Sequence, residues 1–186
     1  ESVVQVFTQL GVEKIRLTGG EPLLRKDLPL LIEKLSSIPG IKQIAMTTNG
    51  TLLDQQAEAL SKAGLSKLTI SLDTLKPEEF RHLTRWGKLE DVFRGIHVAQ
   101  QFDFEKIKTN AVIIRGQNDH QLLELLRFGQ KYGLEVRFIE YMDVAGATQW
   151  EKSKVVPREE ILQNIESHYG KIEELEKEKS SSPAER

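Results

Sequence analysis

The 186-residue sequence contains no cysteine. Disulfides, a thiolate zinc site and a cysteine-held iron–sulfur cluster are therefore excluded within these residues. Histidine is sparse as well. His82, His97, His120 and His168 show no ligand spacing, and each reads as a surface or helix histidine. No apolar run reaches membrane-spanning length, and the first residues lack the basic flank and apolar core of a signal peptide. The expectation is a cytoplasmic protein that binds no membrane. Charge of one sign is also missing: 26 basic against 28 acidic residues give a net charge of −2, without the basic field that nucleic acid requires. What remains is 39% hydrophobic and 29% charged, the composition of one soluble globular domain with a sizeable core.

The stretch that organises the chain is Thr18-Gly19-Gly20-Glu21-Pro22, which follows the apolar run ending at Leu17. Two glycines at a strand end let a ligand approach backbone that a Cβ would shield. Glu21 adds a carboxylate at the same mouth and Pro22 stiffens the exit. Such a cradle suits a ligand with a positive amine. The alternative is a sharp strand-to-helix turn with a solvated acid.

Elsewhere strands alternate with helices. Strands are expected at Lys14 to Thr18, Gln43 to Thr47, Lys67 to Asp73, Lys106 to Ile114 and Glu135 to Tyr141. Helical spacing predicts helices from Ser2 to Leu10, with Val3, Val6, Phe7 and Leu10 as its apolar face, and from Asp27 to Ser36. Further helices are expected from an N-capping Asp54 to Ala63, after Lys76-Pro77, from Glu90 to Gln101, from His120 to Tyr132 and from Pro157 to His168. Val144 to Lys154 reads as a loop. The barrel core is expected over residues 1–170 and a charged linker over 171–186.

Five strands spaced roughly 25 to 40 residues apart, with helices between, imply right-handed crossovers and a parallel sheet. That leaves an open doubly wound sheet or a β/α barrel, and both bind ligands at the carboxyl ends of their strands. No GxGxxG follows the first strand, which disfavours a dinucleotide site. Alternation places Arg16 with Thr18, Thr69 with Ser71 and Asp73, and Lys108 with Asn110. A sheet covered on both faces wants both apolar, so one polar face favours the barrel. The strand ends collect Arg16, Thr18, Thr47, Asn49, Ser71, Asp73, Lys108, Asn110, Glu140 and Met142. They form either a paired network, with Arg16 and Lys108 neutralised by Asp73 and Glu140, or a ligand site. Two cations suit an anion such as phosphate, and the hydroxyls and carboxylates suit a ribose or an amine.

Ile15-Arg16-Leu17-Thr18-Gly19-Gly20-Glu21-Pro22-Leu23 resembles the GGEP motif of radical S-adenosylmethionine enzymes. Its Arg-x-Thr flank resembles the molybdenum cofactor biosynthesis protein A family. Met46 to Gly50, the SLDxL stretch from Ser71 to Leu75, the KxNxVxxxGxND stretch from Lys108 to Asp119, and Arg137 to Asp143 with Trp150 beyond resemble that family's later motifs, in order. The resemblance implies a partial parallel β/α barrel and a radical S-adenosylmethionine GTP 3′,8-cyclase, a lyase that converts GTP to 3′,8-cyclo-7,8-dihydro-GTP in molybdopterin synthesis. It assigns Gly20, Glu21, Ser71 and Met142 to S-adenosylmethionine, and Arg16, Thr47 and Lys108 to GTP. The family also carries two cysteine groups for 4Fe-4S clusters, and neither is present. The chain therefore reads as the central barrel of a longer family member, inactive alone, without metal ligands, and with open sheet edges that favour a homodimer. The alternatives are another radical S-adenosylmethionine enzyme, such as a peptide maturase, and a non-catalytic nucleotide-binding module.

Overall fold

The computed structural model describes residues 1–84, 87–143 and 150–175. Its elements alternate as expected: α1 (Ser2–Gln9), β1 (Lys14–Leu17), α2 (Leu28–Ser36), β2 (Gln43–Thr48), α3 (Leu53–Lys62), β3 (Lys67–Ser71), α4 (Pro77–Thr84), α5 (Leu89–Ala99), β4 (Lys106–Ile113), α6 (Leu122–Tyr132), β5 (Glu135–Glu140) and α7 (Arg158–Tyr169). The strands form one parallel sheet in the order β1-β2-β3-β4-β5. Sequential order with same-handed crossovers puts the helices on one side of the sheet, as in a partial β/α barrel.

Register separates the two faces. Ile44, Met46, Leu68, Ile70, Ala111 and Ile113 are fully buried on the helix side. Against them pack Leu28, Ile32 and Leu35 of α2, Leu53, Ala57 and Leu60 of α3, and Leu89, Val92, Ile96 and Ala99 of α5. These apolar positions recur at the three- and four-residue spacing of one helix face. The opposite face carries Arg16, Thr47, Thr69, Ser71, Lys108, Asn110, Glu135 and Arg137.

Several boundaries differ from the expectation for local reasons. β3 ends at Ser71 because Asp73 leaves the ladder and its Oδ1 accepts the backbone N–H of Val112 at 2.8 Å. β4 ends at Ile113, and Ile114 instead bridges antiparallel to Val155. Asp54 does not cap α3; it lies in the first turn and its Oδ2 accepts from Arg94 at 2.7 Å. His120 falls in a 3-10 turn before α6. On α1 the expected apolar face faces solvent: Val3, Val6, Phe7 and Leu10 are exposed, and Val4 packs toward the core. Most of the expected loop at Val144 to Lys154, its residues 144–149, and most of the expected linker, residues 176–186, lie outside the described residues. No described helix is long and apolar enough to cross a membrane.

The α3–α5 contact depends on a missing side chain. A Cβ on Gly95 would stand 2.6 Å from the carbonyl oxygen of Gly50 and 3.0 Å from Leu53 Cβ. Gly95→Ala should gain about 1 kcal/mol of helix propensity yet lose roughly 1–3 kcal/mol to overpacking against backbone. Urea unfolding should therefore show no net stabilisation and, more often, a lower midpoint. A raised midpoint would show that the two helices part freely.

Candidate functional site

β1 contributes Arg16, whose register partner is Ala45. That small neighbour lets the guanidinium cross β2, where Nη1 donates to Thr47 Oγ1 at 3.1 Å and to Thr69 Oγ1 at 3.3 Å. The described residues give Arg16 no carboxylate partner. Burial lowers its pKa, and the nearby Arg137 guanidinium lowers it further. Arg16 is thus a cation with hydroxyl partners and a cationic neighbour, an arrangement that favours an anion.

Lys108 stands one register layer above, in line with Thr69 and Glu135. It is only 8% exposed, and burial lowers its pKa despite the bond to Glu135. The Glu135 carboxylate receives Lys106 at 2.5 Å, Lys108 at 2.7 Å and Arg137 at 2.9 Å. Burial alone would raise its pKa, but the hydrogen bonds from the three cations outweigh it and hold the group at about 2.

The alternative network does not form as expected. Glu140 faces the helix side in register with Ile113, and its Oε1 accepts the Arg158 backbone N–H where α7 begins. The Asp73 oxygen is taken by Val112; burial raises its pKa and that bond opposes the rise. Neither acid neutralises Arg16 or Lys108. Glu135 does so for Lys108, because period-two alternation puts Glu135 and Arg137, not Glu140, on the polar face.

The glycine loop is fixed by Glu21. Its Oε1 accepts from Leu23 N at 3.0 Å and Thr48 Oγ1 at 2.6 Å, and its Oε2 accepts from Asn49 N at 2.8 Å. Both oxygens of the expected amine ligand are thus engaged by the loop and the end of β2. The adjacent glycines are open: Gly19 adopts φ +154°, and a Cβ on Gly19 or Gly20 would meet nothing within 4 Å. Ser71 is exposed at the end of β3, beside Asn110 in register. Asn110 Oδ1 is buried with no hydrogen-bond partner, which leaves an acceptor for a ligand donor. Met142, past the end of β5, is 61% exposed. Arg16, Thr47 and Lys108 are brought together, Gly20 and Ser71 lie at strand ends above them, and Met142 follows β5.

Sequence reasoning passed over Arg137 and Glu135, although the alternation through Glu135, Arg137 and Ile139 was there to be read. It also assigned no role to Asn118, although that residue lies in the KxNxVxxxGxND stretch. This residue is fully buried; its Oδ1 accepts Ile114 N at 2.7 Å, and its Nδ2 donates to the carbonyls of Asp73 at 2.7 Å and Val112 at 2.8 Å. It ties the ends of β3 and β4 together from within that stretch.

The Radical SAM superfamily model matches residues 1–129. The chain belongs to the radical SAM superfamily. Within it, the chain is 45% identical over 188 aligned residues to a protein of Mycobacterium bovis named GTP 3′,8-cyclase 3, covering 99% of this chain and 50% of that protein. It is 47% identical to a GTP 3′,8-cyclase of Aquifex aeolicus, covering 91% of this chain and 53% of that one. The chain thus spans about half the length of these relatives. Among solved structures, anSMEcpe with bound AdoMet superposes with a TM-score of 0.69 at 17% identity, covering 89% of this chain and 47% of that one. Streptococcus suis SuiB gives 0.60 at 27% identity, covering 81% and 34%. In such a fold the helices pack against one face of the sheet, which leaves the other face to polar residues.

The depressed Glu135 pKa makes this radical SAM core sensitive to acid. A carboxylate held at about 2, below its unfolded value, stabilises the fold above that unfolded value. The contribution is lost as pH falls from about 5 toward 2. Unfolding free energy measured against pH should decline across that window, and Glu135→Gln should flatten this part of the curve. An unchanged slope in the variant would place the acid sensitivity elsewhere.

Proposed function

We propose that this chain is the barrel core of a GTP 3′,8-cyclase acting in molybdenum cofactor biosynthesis. The supporting observation is the cationic polar face: Lys106, Lys108 and Arg137 share one carboxylate, and Arg16 lies near Arg137 with hydroxyl partners among the described residues. The 41–48% identity to proteins named GTP 3′,8-cyclase supports the same reading. Arg16, Lys108 and the Thr47 hydroxyl take the GTP phosphates, where charge-assisted bonds are strong. Arg137 adds a further donor. The substrate is a free nucleotide in the cytoplasm, without nucleic acid or membrane.

The residues present fit S-adenosylmethionine. The open Gly19-Gly20 cradle admits its polar end, Ser71 and the orphan Asn110 oxygen face a hydroxyl-bearing group, and exposed Met142 offers a thioether and apolar stem to a flat base. Glu21 fixes the cradle loop through its three bonds. S-adenosylmethionine supplies hydrogen abstraction when an iron–sulfur cluster cleaves it. The residues do not fit that cluster, because the chain offers no thiolate. What the chain does is bind, orient and supply charge to phosphate.

Calorimetric titration of GTP tests the reading. Each cation contributes roughly 1.5–3 kcal/mol, so Arg16→Ala should weaken GTP on the order of 10- to 100-fold while S-adenosylmethionine affinity stays put. Unchanged GTP affinity would point to a different radical SAM reaction. Anaerobic addition of iron and sulfide should give no stable 4Fe-4S absorbance; a stoichiometric cluster would overturn the account of the ligands.

A further inference from the structure

We infer that Glu135 is a built-in competitor for the phosphate site: its carboxylate occupies the donors that an anionic ligand takes over on binding. The inference rests on the reading of the polar face as an anion site and adds how that site is regulated.

The geometry carries it. Glu135 opens β5 in register with Lys108, so its side chain reaches into the same layer as the Thr47 and Thr69 hydroxyls that hold Arg16. It collects donors from two strands, Lys106 and Lys108 of β4 and Arg137 of β5, at 2.5–2.9 Å. Several cations converging on one small set of oxygens is the arrangement that receives a phosphate. Here one carboxylate stands in it. Three cations on one carboxylate leave an excess of positive charge, and the Arg137 guanidinium lowers the pKa of Arg16 in addition to burial. Glu105, beside Lys106 in sequence, is turned instead to Lys67 at 3.7 Å and to Gln43 at 3.3 Å.

Glu135 is 22% exposed at its side chain, on the sheet face that the helices leave uncovered. An incoming triphosphate therefore reaches the cluster without unfolding any element. Binding substitutes one anion for another across the same donors. The free site is kept neutral enough to fold, and a weakly charged anion cannot displace the carboxylate. A multiply charged phosphate can, because Coulomb attraction to the cluster scales with ligand charge. The carboxylate thereby selects for polyphosphate over singly charged anions.

The test uses inorganic triphosphate and chloride as probes, with calorimetry on the full chain and on Glu135→Gln, an isostere that removes the charge and replaces one acceptor oxygen with an amide donor. Triphosphate should bind the variant about 3- to 30-fold more tightly, and its advantage over chloride should shrink. Equal or weaker triphosphate binding by a folded variant would overturn the inference and show that the carboxylate positions the cations instead. If neither protein binds triphosphate, the anion-site reading falls and takes this inference with it. Should the variant not fold, the wild type decides. The titration midpoint of the Glu135 side-chain carboxyl carbon, at about 2 in the free chain, should move upward by carbon-13 NMR when triphosphate is bound. A midpoint that stays in place while triphosphate binds would show that the two anions do not share the cluster.

Discussion

Charge on an uncovered sheet face governs this molecule. Sequential parallel strands with right-handed crossovers carry their helices to one side, so the other side must be made tolerable to water and ligand by its own residues. Arg16, Lys106, Lys108 and Arg137 stand there with Glu135 among them. Ionised groups at partial burial are costly unless bonded. The Thr47 and Thr69 hydroxyls and the Glu135 carboxylate provide that bonding while leaving the face net positive. The helix side obeys the opposite requirement: it is mostly apolar, and its buried Thr48 and Thr109 are the polar members of a layer shared with Ile70 and Val136.

The mouth of the barrel is held by side chains that replace backbone pairing where the strands stop. Glu21 joins the loop after β1 to the end of β2. Asp73 and Asn118 join the end of β3 to β4. Each satisfies backbone groups that a terminating parallel ladder leaves open. Their common effect is to hold the Gly19-Gly20 loop and the end of β3 that carries Ser71. A site assembled from several loops is only as exact as these ties.

Much of this was legible in the residues themselves. The helix–strand order, the parallel sheet and the polar face all follow from spacing and alternation, and Arg16, Thr47 and Lys108 fell together as their positions suggested. The partners did not. Glu140 was placed among the mouth residues from its nearness to the strand end, yet one step of alternation turns it to α7. Glu135, at the strand's far end, was overlooked because its importance depends on lying beside Lys108 across β4 and β5. The exposed apolar face of α1 has a periodicity that reads like any core-facing helix, and only its position beside the edge strand shows where it points.

The sequence by itself determined the elements, because local spacing decides which residues can share a helix or strand face. It also determined the absence of any thiolate ligand and, through its motifs in order, the superfamily. Tertiary structure alone decided which charges meet. Whether Lys108 is neutralised by Glu135 or Glu140, whether Arg16 has a carboxylate, and whether the Asn110 oxygen has a donor depend on inter-strand register. Register couples residues about 30 positions apart through a few ångströms of space, and pairwise electrostatics changes steeply over that distance.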